Sequence, residues 1–215
     1  LETEQETLTL GAIPALAQYN IIDILVNFKK SRPQSTLNVL QAGSVELRES
    51  LRQRKCDLAF IRFADEVDDD LVKIPYAADC MVAVLPAAHP LAKQTAIPLS
   101  SLANEDFLMI EKGTYIYWLC YRACQESGFE PKIAFTDHKV GILVDLVIKG
   151  MGVALLMKQL ALYAAAPNTA IVDISPCIAT QIYLCYLKGV ELSPAAKHFV
   201  QCTAQVQPTK QVQRT

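Results

Sequence analysis

Long apolar runs are missing from this sequence, and so is an excess of either charge. No uninterrupted hydrophobic stretch approaches the roughly 20 residues that a membrane-spanning helix needs, although 52% of the 215 residues are hydrophobic. The opening LETEQETLTL is acidic and lacks the basic-then-apolar order of an export signal. Lys and Arg number 20 against 22 Asp and Glu, a net charge of −2. Such a balance leaves no basic face over the chain as a whole for nucleic acid. Histidine is scarce: only His89, His138 and His198 occur, and no pair of them stands with acids at metal-ligand spacing. Neither a metal nor another cofactor is therefore expected. A GxSxG elbow, a P-loop, HExxH and a dinucleotide fingerprint are all missing. Three scattered histidines are a poor basis for a serine or cysteine triad, so the expectation is a protein that is not an enzyme.

Cysteine, by contrast, is plentiful. The seven cysteines are Cys56, Cys80, Cys120, Cys124, Cys177, Cys185 and Cys202. Their odd number, and the apolar surroundings of most of them in runs such as DCMVAVLP and IYLCYLK, read as free, reduced thiols rather than a secreted disulfide frame. The expectation is a soluble cytoplasmic protein with no membrane contact.

Strand-like runs alternate with amphipathic helical runs. TLTLGAI reads as a strand, and Pro14 with ALAQYNIIDILVNFKK as a helix ending before Pro33. TLNVLQ is a second strand. Ser44 reads as the N-cap of the helix SVELRESLRQRK, and DLAFIRF as a strand apolar on both faces. The acids of ADEVDDD form a solvated turn. An extended stretch and a strand follow in LVKIPYAADCMVAVLP, then a loop with a short helix. A second alternation runs through FLMIEK, the helix within GTYIYWLCYRACQESG, KIAFT, the helix DHKVGILVDLVIKG broken by Gly150 and Gly152, and GVALLM. Strands AIVDI and TQIYLCYLK come next. The last helix has Ser193 as N-cap and Pro194 at its first position, and the tail QPTKQVQRT reads as disordered. Two α/β units of about 100 residues each are implied, the final helix returning to the first. Ligands of open α/β sheets bind beyond the carboxyl ends of strands, so a cleft between two lobes is the expected site.

Several landmarks occur in order. LTLGAIPALAQYNIIDILVNFKKSRPQSTLNVLQAGSVELRESLRQRKCDLAFI, VLPAAHPLA, LSSLANEDFLMIEKG, LVIKGMGVALLM and LSPAAKHFV together resemble the effector-binding domain of LysR-type transcriptional regulators, over about residues 7 to 204. The resemblance implies two Rossmann-like lobes joined by two crossover segments, an α/β fold like the type II periplasmic binding proteins. Lobe I would comprise residues 1–75 and 189–215, and lobe II residues 76–188. The family's winged helix-turn-helix DNA-binding domain precedes this region, so the chain is read as the regulatory half of a longer protein. Promoter DNA would then be met only through that other domain. A small-molecule effector, an organic anion among the candidates, would bind between the lobes and modulate transcription. The family also implies a homodimer, and a tetramer in the full-length protein; the apolar excess of YNIIDILVNF suits such pairing.

Candidate effector contacts follow from strand ends and from the family. In lobe I they are the turn Ile13, Pro14 and Ala15, where family members often carry hydroxyls, and Arg62 with Phe63, where a guanidinium could fork a carboxylate or pair with the acids of ADEVDDD. In lobe II they are Gly113, Thr114 and Tyr115, opening a helix, and Thr136, Asp137 and His138 one strand over. Asp137 also reads as a helix N-cap. The peroxide-sensing branch of the family carries cysteines at positions held here by Tyr115 and Cys124. A thiol-based redox sensor using Cys120 and Cys124, and a periplasmic-type solute-binding protein, stand as alternatives.

Overall fold

The computed structural model describes residues 6–63 and 70–206. The turn expected at ADEVDDD, apart from Asp70, and the tail beyond residue 206 lie outside the described residues. In chain order the elements are β1 (Thr7–Ala12), α1 (Ile21–Ser31), β2 (Thr36–Gln41), α2 (Ser44–Arg52), β3 (Leu58–Phe63), β4 (Leu71–Pro86), β5 (Ala96–Ile97), a 3₁₀ turn (Leu99–Leu102), β6 (Asp106–Ile110), α3 (Tyr115–Glu126), β7 (Lys132–Asp137), α4 (Val140–Ile148), β8 (Val153–Met157), α5 (Lys158–Tyr163), β9 (Thr169–Ile174), β10 (Ala179–Leu187) and α6 (Pro194–Gln205). No helix among the described residues is long and apolar enough to cross a membrane. The chain divides into two compact units: Leu1–Ala78 with Thr180–Thr215, and Asp79–Ala179.

In the first unit β1 pairs parallel with both β2 and β3, and β10 joins β3 antiparallel. That pairing places β10 in the first unit, so the second break falls between Ala179 and Thr180 rather than between residues 188 and 189. β3 lies between β1 and β10 and is buried along its whole length, which explains why LAFIRF carries no polar alternation. Phe28 of α1, Phe60 of β3 and Phe199 of α6 meet edge to face around Phe199, with centroids 5.5 and 6.3 Å away. These rings bring the last helix back onto the first. Ser193 caps it through the Ala196 N–H, with Pro194 at the first position.

Helix α1 starts at Ile21, six residues later than its hydrophobic pattern suggests. Asn20 adopts the left-handed conformation at φ 56°, which stops the helix from extending backwards, and residues 16–20 form turns. The cap of α2 is Gly43, not Ser44; Ser44 is the first helical residue, and its hydroxyl serves Arg62 instead.

In the second unit the latter part of β4 pairs antiparallel with β8 and β9, and β6 pairs parallel with β8 and β7. α4 lays Leu143, Val144 and Val147 against Val82, Val84, Leu108, Ala154 and Leu156. Its cap is Lys139, and Asp137 instead accepts a hydrogen bond from the Lys139 N–H in the preceding turn. α5 had no counterpart in the expected elements. Gly152 does more than end a helix: a Cβ there would overlap the carbonyl oxygen of Asp106, so the close approach of the chain to the start of β6 requires glycine.

The cysteines require a correction. Cys80 and Cys177 form a disulfide, with Cα atoms 6.1 Å apart, whereas Cys56, Cys120, Cys124, Cys185 and Cys202 are free and buried. Local surroundings misled the reading because the bonded partners are 97 positions apart in sequence. Gly152→Ala is expected to lower stability by about 1–3 kcal/mol, read as a reduced urea midpoint at unchanged slope. Gly141→Ala, inside α4 where a Cβ meets nothing within 4 Å, should instead be neutral or stabilising by up to about 1 kcal/mol.

Candidate functional site

The carboxyl ends of β1 and β3 emerge side by side, because Ala12 lies opposite Phe60 and the Ile13 N–H continues the ladder to the Phe60 carbonyl at 3.2 Å. This edge brings the turn Ile13, Pro14 and Ala15 together with Arg62 and Phe63. Ile13 and Ala15 are buried and Pro14 is exposed. The Ala15 N–H closes a tight turn onto the Ile13 carbonyl at 2.7 Å, so this donor is occupied within the turn itself. Phe63 lies beneath cations: Arg48 and Lys73 stand 5.7 and 5.0 Å from its ring, and Tyr183 packs edge-on.

Arg62 is the most unusual residue of this edge. It is only 2% exposed. Nη1 donates to the Thr180 hydroxyl at 2.6 Å and Nη2 to the Tyr19 hydroxyl at 2.5 Å, and the guanidinium carbon lies 5.0 Å from the Tyr19 ring centroid. Its backbone N–H donates to Ser44 Oγ at 3.3 Å. Tyr19 is itself fixed by Tyr76, whose hydroxyl donates to the Tyr19 carbonyl at 2.5 Å. Burial pushes the Tyr76 phenol up to about 12, so it stays a neutral donor. Among the described residues no carboxylate pairs with Arg62, and its Nε has no hydrogen-bond partner. Asp70, the last acid of the polar turn, pairs with Arg52 at 2.8 Å instead. Buried guanidinium groups ordinarily face a carboxylate. Tyr19, Thr180 and Tyr76 were not anticipated, and only Ser44 had been singled out, for a different role.

In the second unit β6 and β7 run parallel, with Ile110 opposite Asp137, and the Glu111 N–H donates to the Asp137 carbonyl at 3.1 Å. The two expected turns therefore share one edge. Gly113 has φ 97°, a conformation glycine adopts without strain. Thr114 caps α3: its hydroxyl donates to the Glu111 carbonyl at 2.8 Å and accepts from the Tyr117 N–H at 3.2 Å. That hydroxyl is thus engaged by the turn itself. Tyr115 and Thr136 are half-buried, while His138 is exposed, 3.6 Å from the Asp137 carboxylate.

Deeper in α3, Cys120 donates weakly to the Leu155 carbonyl, and burial pushes its thiol far up. The same cause raises Cys124 to about 12. Both are poor nucleophiles and serve as packing. Trp118, on the opposite face, is exposed. Among the described residues no cluster of His, Cys, Asp or Glu could hold a metal.

The chain resembles known proteins over nearly its full extent. It is 25% identical over 206 residues to the transcriptional dual regulator GltC of Bacillus subtilis, covering 95% of this chain and 69% of that protein. The chain spans about half to two thirds of the length of curated relatives such as GltC, at 69%, and TtuA of Agrobacterium vitis, at 54%. Among solved structures, the effector-binding domain of QuiR in complex with shikimate superposes with a TM-score of 0.80 at 25% identity, over 94% of this chain and 97% of that one. The regulatory domain of CcmR from Synechocystis PCC6803, in complex with 2-PG, reaches 0.83 at 22% identity, over 94% and 98% respectively. The fold is therefore that of these effector-binding domains. Residues 2–208 match the family model described as the LysR substrate binding domain, so the chain belongs to the LysR family as its substrate-binding domain.

Proposed function

We propose that this chain is the sensing part of a cytoplasmic LysR-type transcriptional regulator, and that its effector is a small organic anion whose carboxylate is met by Arg62. The observation that carries the reading is the buried guanidinium with no carboxylate partner among the described residues. An anion brought to such a group gains charge-assisted hydrogen bonds and relieves the cost of an unpaired buried charge. The related domains solved with shikimate and with 2-PG support a small-molecule ligand. In the second unit, Gly113, Thr114 and Tyr115 would contribute the N–H groups that open α3, with Thr136, Asp137 and His138 beside them. Ile13, Pro14 and Ala15 supply an apolar contact. The protein would act by binding rather than turnover, and promoter DNA would be met through another part of the regulator.

A carboxylate panel containing shikimate and benzoate, each paired with its neutral amide, tests this by thermal shift. At least one carboxylate at a hundredfold over its Kd should add about 2.7 kcal/mol of stability, its amide adding far less. Arg62→Met, checked for folding by circular dichroism, should weaken that carboxylate at least tenfold. Unchanged affinity in this variant removes Arg62 from the site. The Thr114→Trp variant and its combination with Arg62→Met then report whether one ligand touches both turns.

The same reading includes a homodimer, with a tetramer in the full-length regulator. Ile22 and Val26 on α1 and Val39 on β2 are 45%, 44% and 39% exposed. Leu25, Val26, Lys29, Lys30 and Leu37 line a shallow apolar depression of about 400 Å³ on the same face. Sedimentation at about 50 μM should show dimers, and Val26→Glu should shift the population to monomer. A monomeric parent chain at that concentration rules the pairing out.

A further inference from the structure

Of the seven cysteines, the two that solvent reaches are the two that are bonded. Cys177 is exposed and Cys80 half-buried, while the five free cysteines are all buried. The bond occupies a particular place in the chain. The second unit begins at Asp79 and ends at Ala179, so Cys80 and Cys177 stand at the two points where the polypeptide enters and leaves it. Beside the bond, the Met81 N–H donates to the Ile178 carbonyl at 2.9 Å. The Asp79 carboxylate, itself buried, accepts from the Cys80 N–H at 2.7 Å and from the Gln159 N–H at 3.2 Å. Cys177 has a different setting. It lies in an irregular segment between β9 and β10, preceded by the exposed Ser175 and Pro176. One sulfur is therefore anchored on a buried, hydrogen-bonded strand, and the other is on a segment that water and small thiols can approach.

We propose that Cys80 and Cys177 form a reversible thiol–disulfide site that exchanges with low-molecular-weight thiols and disulfides of the glutathione type, and that its state controls the backbone stability of the strands at the boundary of the second unit. In the reducing direction an external thiolate attacks the accessible Sγ of Cys177. The Sγ–Sγ bond breaks, and the electron pair leaves on Cys80 Sγ, which takes up a proton. A second external thiolate attacks the external sulfur of the mixed disulfide and releases Cys177 as a thiolate, which is protonated in turn. Two external thiols are oxidised to one external disulfide, and one protein disulfide is reduced to two thiols. Oxidation is the reverse, with the external disulfide as the oxidant. The remaining cysteines stay out of the exchange: burial raises the thiols of Cys56, Cys120, Cys124 and Cys202, and buried sulfur gives an incoming disulfide no approach. This inference rests on the bonded pair alone and does not depend on the identity of the effector.

Opening the bond also releases the covalent ring it closes, a loop of 97 positions that takes in nearly all of the second unit. The 215-residue protein is equilibrated in buffers of reduced and oxidised glutathione, quenched with acid, alkylated and digested. Mass spectrometry then reads the peptides containing each cysteine. The expected result is that Cys80 and Cys177 pass together from disulfide to dithiol as reduced glutathione rises to about 10 mM, with the other five alkylated only in denaturant. Hydrogen exchange in the latter half of β4 and in β10 should accelerate at least tenfold on reduction. The Cys80→Ser/Cys177→Ser variant should match the reduced protein and ignore glutathione. A bond that survives about 10 mM reduced glutathione in the folded protein overturns the proposal, as does a pair that stays reduced in oxidised glutathione. Equal exchange rates in the two states overturn its structural half. If the double variant does not fold, the titration and exchange of the parent protein decide alone.

Discussion

A guanidinium cannot leave water cheaply unless oxygen atoms replace the water it loses, and the first unit is arranged around that requirement. Arg62 stands next to the end of the buried strand β3, where sheet, helices and turns leave no solvent. Its acceptors come from distant parts of the chain: Tyr19 from the turns before α1, and Thr180 from the strand that returns after the second unit. Tyr76 in turn fixes the Tyr19 backbone. Three otherwise unrelated segments are thus held by one charge. A charge met, among the described residues, by neutral hydroxyls keeps a capacity for an anion that a carboxylate partner would have used up.

The second unit solves a different problem. Aliphatic residues of α4 pack on its sheet, and its candidate polar residues stand where β6 and β7 end. There the backbone takes up most of the polar side chains. The Thr114 hydroxyl and the Asp137 carboxylate are engaged by their own turns, so these side chains shape the edge itself. At the opposite end of β6, Gly152 lets the chain leading into β8 pass close to the Asp106 carbonyl.

What the sequence revealed follows from the range of the interactions concerned. β2, β7 and α6 were legible to within a residue or two, because hydrophobic period, flanking turn residues and a Ser-Pro cap are all local signals. α1 was not, since residues 15–18 favour helix individually while Asn20 turns left-handed and Tyr19 is drawn to Arg62. Arg62 was legible as a strand-end cation, but not its partners, which lie 43 and 118 positions away. The disulfide was hidden for the same reason. DCMVAVLP looks like any apolar strand, and nothing near Cys80 in sequence indicates that Cys177 is beside it. Pairings across such distances are set by topology, which residue spacing does not encode.

The place of that bond gives the second unit a property that its secondary structure alone would not confer. Between Met81 and Pro176 the chain is a closed circuit hung from the first unit by two strands. A protease that cut once anywhere on this circuit would leave a single covalent molecule, its new ends still tethered through sulfur. Damage to the insert would thus not by itself separate the two halves of the first unit, β1 to β3 on one side and β10 with α6 on the other, until the same bond was reduced.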